Sequence, residues 1–240
     1  MWNGKLKALT FSYDDGVLQD KRLIRILDRY GLKCTFNLNS ARFGRTESIH
    51  SGRTVDHSTV AEPDVRAVYA GHEIAAHTCT HPMLPSLDEP GIVSEVRKDM
   101  EKLSALAGYP VCGMAYPGGG VNHDERVIGV IKKNVPEIRY ARTITSTYSF
   151  DIPPRLLELD PTVFHMEWDR MVELCHRFVD LEPDRPQMLY IWGHAYEFDA
   201  AEHDAYWTRF EDLCRFLGGR NDIFYGTNRE VLLDLPQNHK

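Results

Sequence analysis

The chain has 240 residues, enough for one large domain or two small ones, and α/β barrels often run to this length as a single unit. Hydrophobic residues make up 42% and charged residues 26%, an ordinary globular balance. Acidic side chains outnumber basic ones, 35 to 28, for a net charge of -7; that argues against a general affinity for nucleic acid or an anionic membrane, both of which need basic surface.

The five cysteines, Cys34, Cys79, Cys112, Cys175 and Cys214, form no CxxC pair. An odd, scattered set points to a reducing compartment, not a disulfide framework. The opening MWNGKLKALTFSYDDG has no apolar core of the secretory type, so a cytoplasmic location is expected. No apolar run is long enough to span a bilayer. With no internal repeat and no low-complexity linker, one domain over 1–240 is expected; a homo-oligomer is left open.

In chain order, residues 7–12 (KALTFS) read as a strand and 17–30 as an amphipathic helix closed by Gly31. Residues 33–38 read as a second strand. The polar stretch Ser40–Ser58 reads as a long loop of the functional kind. A short helix is expected at 63–70, a strand in GHEIAAHT, a helix at 92–107, a strand at 111–116, a helix at 123–133 and a strand at 138–144. Beyond these, LLELD reads as a strand, 168–181 as a helix, MLYIW as a strand, 203–217 as a helix and IFYGT as a last strand. Such alternation implies βαβ units and a parallel sheet. About seven or eight units suggest a barrel; an open doubly wound sheet is the second choice. Either architecture puts active groups at the C-terminal ends of strands.

Polar residues gather at those ends. The first strand runs into Asp14-Asp15-Gly16, the third into His77-Thr78-Cys79-Thr80-His81, the fourth into Tyr116-Pro117-Gly118-Gly119-Gly120, and the strand at 189–192 into Gly193-His194. His77 and His81 have i, i+4 spacing, which on a helical turn points both rings the same way. Imidazole suits zinc and similar divalent ions, and a carboxylate as third ligand leaves positions open for water and substrate. Taken alone, the pair is as readily a chance HxxxH on a polar loop; the aspartates nearby favour the metal. Adjacent aspartates alternate in direction on an extended segment, and two such charges push their pKa values apart, which suits one ligand and one base. The plain alternative is a helix cap. His194 is placed to protonate a leaving group, against the commoner role of a satisfied half-buried histidine. Trp192 and Tyr148 are candidate sugar-stacking walls, although aromatics at strand ends more often belong to the core. The Tyr116-Pro117-Gly118 turn brings backbone N–H groups close to a substrate, where they can stabilise an oxyanion; Gly119 and Gly120 read as a flexible turn.

These motifs resemble the polysaccharide deacetylases, carbohydrate esterase family 4. The family's T-F-D-D-G is similar to Thr10-Phe11-Ser12-Tyr13-Asp14-Asp15-Gly16 with two residues inserted, and its H-[ST]-x-x-H is matched by His77 to His81, preceded by Gly71-His72-Glu73-Ile74. An apolar strand ending in histidine resembles Leu189 to His194. The resemblance spans about Leu6 to His194 and implies a distorted (β/α)7 barrel. It implies that Asp14 is the general base, that Asp15, His77 and His81 hold a divalent metal (zinc first, with cobalt, nickel or manganese as alternatives), and that His194 is the general acid. The third motif, R-x-P-[FYW], departs: Ala115 stands at the arginine position and Gly118 at the aromatic one. Arg142 is the candidate replacement for the guanidinium, and the Gly118 N–H the oxyanion donor. The region that supplies a groove wall and a carboxylate partner for the histidine is represented only by Asp151 and Trp168. The implied activity is removal of acyl groups from N-acylated carbohydrate, with Tyr116, Pro117, Tyr148 and Trp192 binding substrate. Two other readings stand beside it: an amidase or cyclic-imide hydrolase acting on a small nitrogen compound, and an inactive barrel that only binds carbohydrate.

Overall fold

A computed structural model describes residues 1–51, 53–200 and 203–233. Its centre is β1 (Lys7–Asp14), whose eight residues are all buried, as a strand covered on both faces requires. The register with its neighbours is unbroken through Ser12 and Tyr13. The two residues inserted before the aspartates therefore extend the strand and make no bulge.

The sheet is parallel. Helix α1 (Asp20–Arg29) buries Leu23, Ile24, Ile26 and Leu27 and gives way to Gly31 at φ 67°. The chain then forms β2 (Cys34–Leu38). Next come β3 (Ser48–Ser51) and β4 (Arg53–Asp56), an antiparallel hairpin apart from the main sheet. The stretch expected to be a loop is thus partly ordered as a hairpin. A 3-10 turn and the single-turn α2 (Val65–Val68) lead to β5 (Glu73–Ala76). Helix α3 (Glu89–Ala107) is capped by the Asp88 carboxylate, which accepts from the Gly91 N–H. It is followed by β6 (Gly113–Ala115), α4 (Glu125–Asn134), capped by Asp124, and β7 (Tyr140–Arg142). The second half adds β8 (Val163–Phe164), α5 (Trp168–Asp180), β9 (Gln187–Gly193), α6 (Tyr196–Ala200), α7 (His203–Leu217), β10 (Ile223–Tyr225) and α8 (Asn228–Leu233).

The strand order is β7-β6-β5-β2-β1-β9-β8. Leaving out the hairpin, it follows the chain around a ring, β1 to β7 on one side and β8 and β9 returning to β1. A doubly wound sheet would reverse direction, so this is a distorted (β/α)7 barrel, open between β7 and β8. The segment read as the strand LLELD lies in that gap. It forms one isolated bridge, Leu159 to Arg142, and the Ala141 N–H donates to the Leu156 carbonyl at 2.7 Å. The paired strand, β8, comes only at Val163. β10 bonds β1 at Lys7–Leu9, on the side where β2 takes over from Phe11. No helix among the described residues is long and apolar enough to cross a membrane.

Candidate active site

At the C-terminal ends of the strands lies a cavity of about 250 Å³. Asp14 and Asp15 line it from the end of β1, His77 and His81 from the segment after β5, and Trp192 and His194 from the end of β9. Tyr116, Gly118, Gly119, Ile144 and Tyr196 complete the wall.

Backbone geometry brings these groups together in a way that spacing alone misstates. Asp15 has φ 76°, in the left-handed region. The chain leaves the extended path there, so the two adjacent aspartates face the same cavity instead of opposite sides. Neither caps α1, which begins after Gln19. The His77–His81 stretch is not a helical turn. Thr78 and His81 have φ of 67° and 66°, and the two rings meet edge to face with centroids 4.9 Å apart. Two side chains fix the segment. Asn39 Nδ2 donates to the His77 and Thr78 carbonyls, and the buried Asp99 carboxylate of α3 accepts the N–H groups of His77 and Ser40. Burial pushes the Asp99 carboxyl up to about 7.

Asp15, His77 and His81 each offer one ligand atom within 4.8 Å of the others. Asp15 Oδ1 is 3.7 Å from His77 Nε2 and 3.6 Å from His81 Nε2. Those separations are too long for hydrogen bonds. They are close to the spacing of two atoms that each bind a shared ion at about 2 Å. The same oxygen is buried and has no hydrogen-bond partner, a costly state without a cation. His77 Nδ1 is 2.8 Å from the Ala115 carbonyl; donation there leaves Nε2 unprotonated, as a ligand must be. Burial, reinforced by His77, depresses His81 to about 4, so His81 is neutral near pH 7. The donor set fits a divalent ion.

Asp14 is held differently. Its Oδ1 accepts from Asn37 Nδ2 at 2.8 Å, and its Oδ2 pairs with the Arg142 guanidinium. Arg142 is fully buried, donates to the Thr143 carbonyl at 2.8 Å and lies 4.5 Å over the Trp192 ring. Burial would raise the Asp14 carboxyl, but Arg142 and His194 outweigh it and hold it below the usual range. Asp15 is also lowered: burial again opposes, while the His57 hydrogen bond and the His194 charge prevail. The pKa values of the two aspartates are thus moved the same way, not apart, because cationic neighbours dominate their mutual repulsion.

His194 lies 3.9 Å from Asp14 Oδ2. Its backbone N–H donates to Glu197 Oε2 at 3.0 Å, and its Nδ1 is 3.1 Å from the same oxygen, an ion-pair contact turned away from hydrogen-bond alignment. Burial works against the imidazolium, yet Glu197, Asp15 and Asp14 raise its pKa to about 10. Glu197 Oε2 also meets His165 Nε2 at 2.7 Å, and His165 Nδ1 lies 3.1 Å from the Tyr13 hydroxyl. Gly193 permits this approach, since a Cβ there would lie 2.2 Å from the His165 ring.

The carboxylate beside His194 is therefore Glu197. Asp151 pairs instead with Arg185 and Gln187, and Trp168 packs against Tyr206 and Arg209. Tyr148 is not on the cavity wall; it is 44% exposed and its hydroxyl donates to Glu167. Pro117 is buried and does not line the cavity, and the Tyr116 hydroxyl donates to the Leu157 carbonyl at 2.7 Å. Glu197, Tyr196, Ile144 and His57 escape the sequence reading. For Glu197 a signal existed: it sits three residues after His194, in the first turn of a short helix.

Fold and cavity define a parallel α/β barrel with a carboxylate–histidine site at the C-terminal strand ends. The chain belongs to the polysaccharide deacetylase family, whose model matches residues 3–134. A probable peptidoglycan-N-acetylglucosamine deacetylase of Arthroderma benhamiae is 32% identical over 112 residues, 46% of this chain. The match covers 23% of that protein's length. A deacetylase solved with substrate aligns at TM-score 0.59 and 15% identity, covering 98% of this chain and 95% of that one. A family 4 carbohydrate esterase from Streptomyces lividans, solved with acetate, aligns at TM-score 0.54 and 14% identity, covering 93% and 92%. At these identities the structural matches speak to the fold.

Proposed function

We propose that the chain is a metal-dependent hydrolase that removes an acyl group from N-acylated carbohydrate. One observation carries this reading: a carboxylate held by arginine, a three-residue ligand set and a carboxylate-paired histidine all open onto one cavity. Asp15, His77 and His81 would hold the ion. A divalent metal there, zinc first among candidates with cobalt, nickel and manganese behind it, supplies Lewis acidity toward the acyl carbonyl and acidifies water, as such ions do by lowering its pKa to about 7.

The chain's own groups do the rest. Asp14, kept ionised by Arg142, accepts the proton of the attacking water. The Gly118 N–H, on the cavity wall, is the candidate donor to the developing oxyanion. His194, charged through Glu197, donates its proton to the departing amine. Trp192 and Tyr116 line the wall and are the aromatic groups a sugar ring would meet there. The test is acetate release from N-acetylglucosamine oligomers by zinc-loaded protein; a loaded protein that releases none, on any acylated sugar offered, defeats the proposal.

The size of the cavity favours a second reading. About 250 Å³ is below the roughly 300–1,000 Å³ usual for drug-sized ligands, which suits an amidase or cyclic-imide hydrolase on a small nitrogen compound. Turnover of small ureides, with chitin oligomers inert, would select it.

A further inference from the structure

The segment between β2 and β5 brings a residue to the site that neither aspartate nor histidine motif includes. Leu18 N–H donates to the Ser58 carbonyl and Val60 N–H to the Gly16 carbonyl, both at 2.9 Å, and Val17 bridges Thr59. This pairing runs residues 58–60 alongside the turn after Asp15 and sets the buried His57 over it. His57 Nε2 lies 3.2 Å from Asp15 Oδ2, and its Nδ1 lies 3.2 Å from Glu47 Oε1. Glu47 is in turn paired with Arg42.

Asp15 is thereby divided. One oxygen is engaged by His57; the other, without a hydrogen-bond partner, faces His77 and His81. An ionised carboxylate only accepts, so His57 must be the donor. We propose that His57, backed by Glu47, is a positioning residue that holds Asp15 as a one-oxygen ligand and so sets the affinity of the site for a divalent ion. The inference rests on the metal reading given above. A carboxylate with both oxygens free can rotate or bind through both; a donor fixed on one oxygen removes that freedom. Partners of this outer kind typically change metal affinity by about 10–100-fold.

The donor is itself well anchored. The His57 ring packs edge to face on Tyr196, with centroids 4.7 Å apart. Arg53 Nε donates to the Ala200 carbonyl at 3.0 Å, and Gln19 Nε2 joins the Asp56 carbonyl and Asp199 Oδ2 at 2.8 and 3.0 Å. The hairpin is thus fastened to α6, the helix that carries Glu197. Among the described residues the ligand group is Asp15, His77 and His81, and His57 addresses the oxygen turned away from it.

The test is the zinc dissociation constant of the full chain, measured by competition with a chromophoric chelator at fixed pH, together with the melting temperature of the metal-free protein. His57→Ala should bind zinc about 10–100-fold more weakly. His57→Gln should recover part of that loss, because its amide can still donate to Asp15. Glu47→Gln should weaken binding less, in the same direction, and the metal-free melts should stay close to wild type. If His57→Ala does not fold, His57→Gln and Glu47→Gln carry the comparison. Wild type that binds zinc while the folded variants match it within about twofold overturns the inference alone. Wild type that takes up no zinc, cobalt or nickel overturns the metal reading and this inference with it.

Discussion

Arg142 and Ala115 are direct partners in the β6–β7 ladder, and it is the Arg142 guanidinium that reaches Asp14. The guanidinium absent from the third motif is therefore supplied one strand over, at the same level of the barrel. Its side chain crosses the interior to touch β1 and β9 at once, through Asp14 and Trp192.

Arg142→Ala should leave Asp14 as an unpaired buried charge. Breaking such a pair costs about 3–5 kcal/mol, so a large fall in denaturant midpoint is expected, with acyl release reduced at least about 100-fold. Arg142→Lys keeps the charge but not the forked geometry and should lie between. A fully active, fully stable Arg142→Ala would show that Asp14 needs no guanidinium.

The pairing of His194 with Glu197 has a pH signature. A general acid must be protonated, so activity should fall on the alkaline side as His194 loses its proton. Glu197 raises that pKa, to about 10 in the metal-free chain. Glu197→Gln should move the alkaline limb toward lower pH, and the rate at neutral pH should drop. Stability is linked with the same sign. The folded pKa lies above the unfolded value of about 6.5, so the contribution of His194 is full below about 6.5 and is lost as pH rises toward 10. Rate and urea midpoint against pH, in both proteins, check this; an alkaline limb that stays in place frees His194 of its assigned partner.

Gly118 has φ 87°, and a Cβ there would lie 2.2 Å from Met83 Sδ. Gly118→Ala should lose roughly 1–2 kcal/mol to the left-handed backbone alone, since the flexible end of Met83 can move. Turnover should fall further than stability, because a shift of this turn moves the N–H assigned to the oxyanion. Equal turnover in the variant would remove Gly118 from that role.

His77 and His81 should behave alike. Replacing either by alanine should abolish tight zinc binding while the metal-free fold persists, read by elemental analysis after gel filtration. Unchanged metal content in either variant would reject that residue as a ligand.

Much of the scaffold was readable from apolar runs alternating with amphipathic stretches. β1, β2, β9, α3 and α7 fall close to where their patterns put them, because each has enough residues to show a period. β8 has two residues and cannot; the Leu156–Leu157 pair drew the strand assignment to a segment that makes one bridge. The hairpin strands have four residues each in a polar stretch, so His57 carried no signal. Polar residues after apolar strands pointed to Asp14, Asp15, His77, His81 and His194, which the fold gathers at one cavity. What the pattern could not show was conformation: the left-handed backbones of Asp15, Thr78 and His81 are what turn those side chains toward one another. Glu197 sits at the start of a short helix, where an acidic residue looks like ordinary end-charge complementarity.

The most direct test is acetate release from N-acetylglucosamine oligomers by wild type and Asp14→Asn, with metal measured in the same samples. Both proteins should hold about one ion per chain and only wild type should turn over, the variant falling at least about 100-fold, as loss of a general base does. An Asp14→Asn protein that releases acetate at the wild-type rate, or a loaded wild type that releases none, would contradict this mechanism.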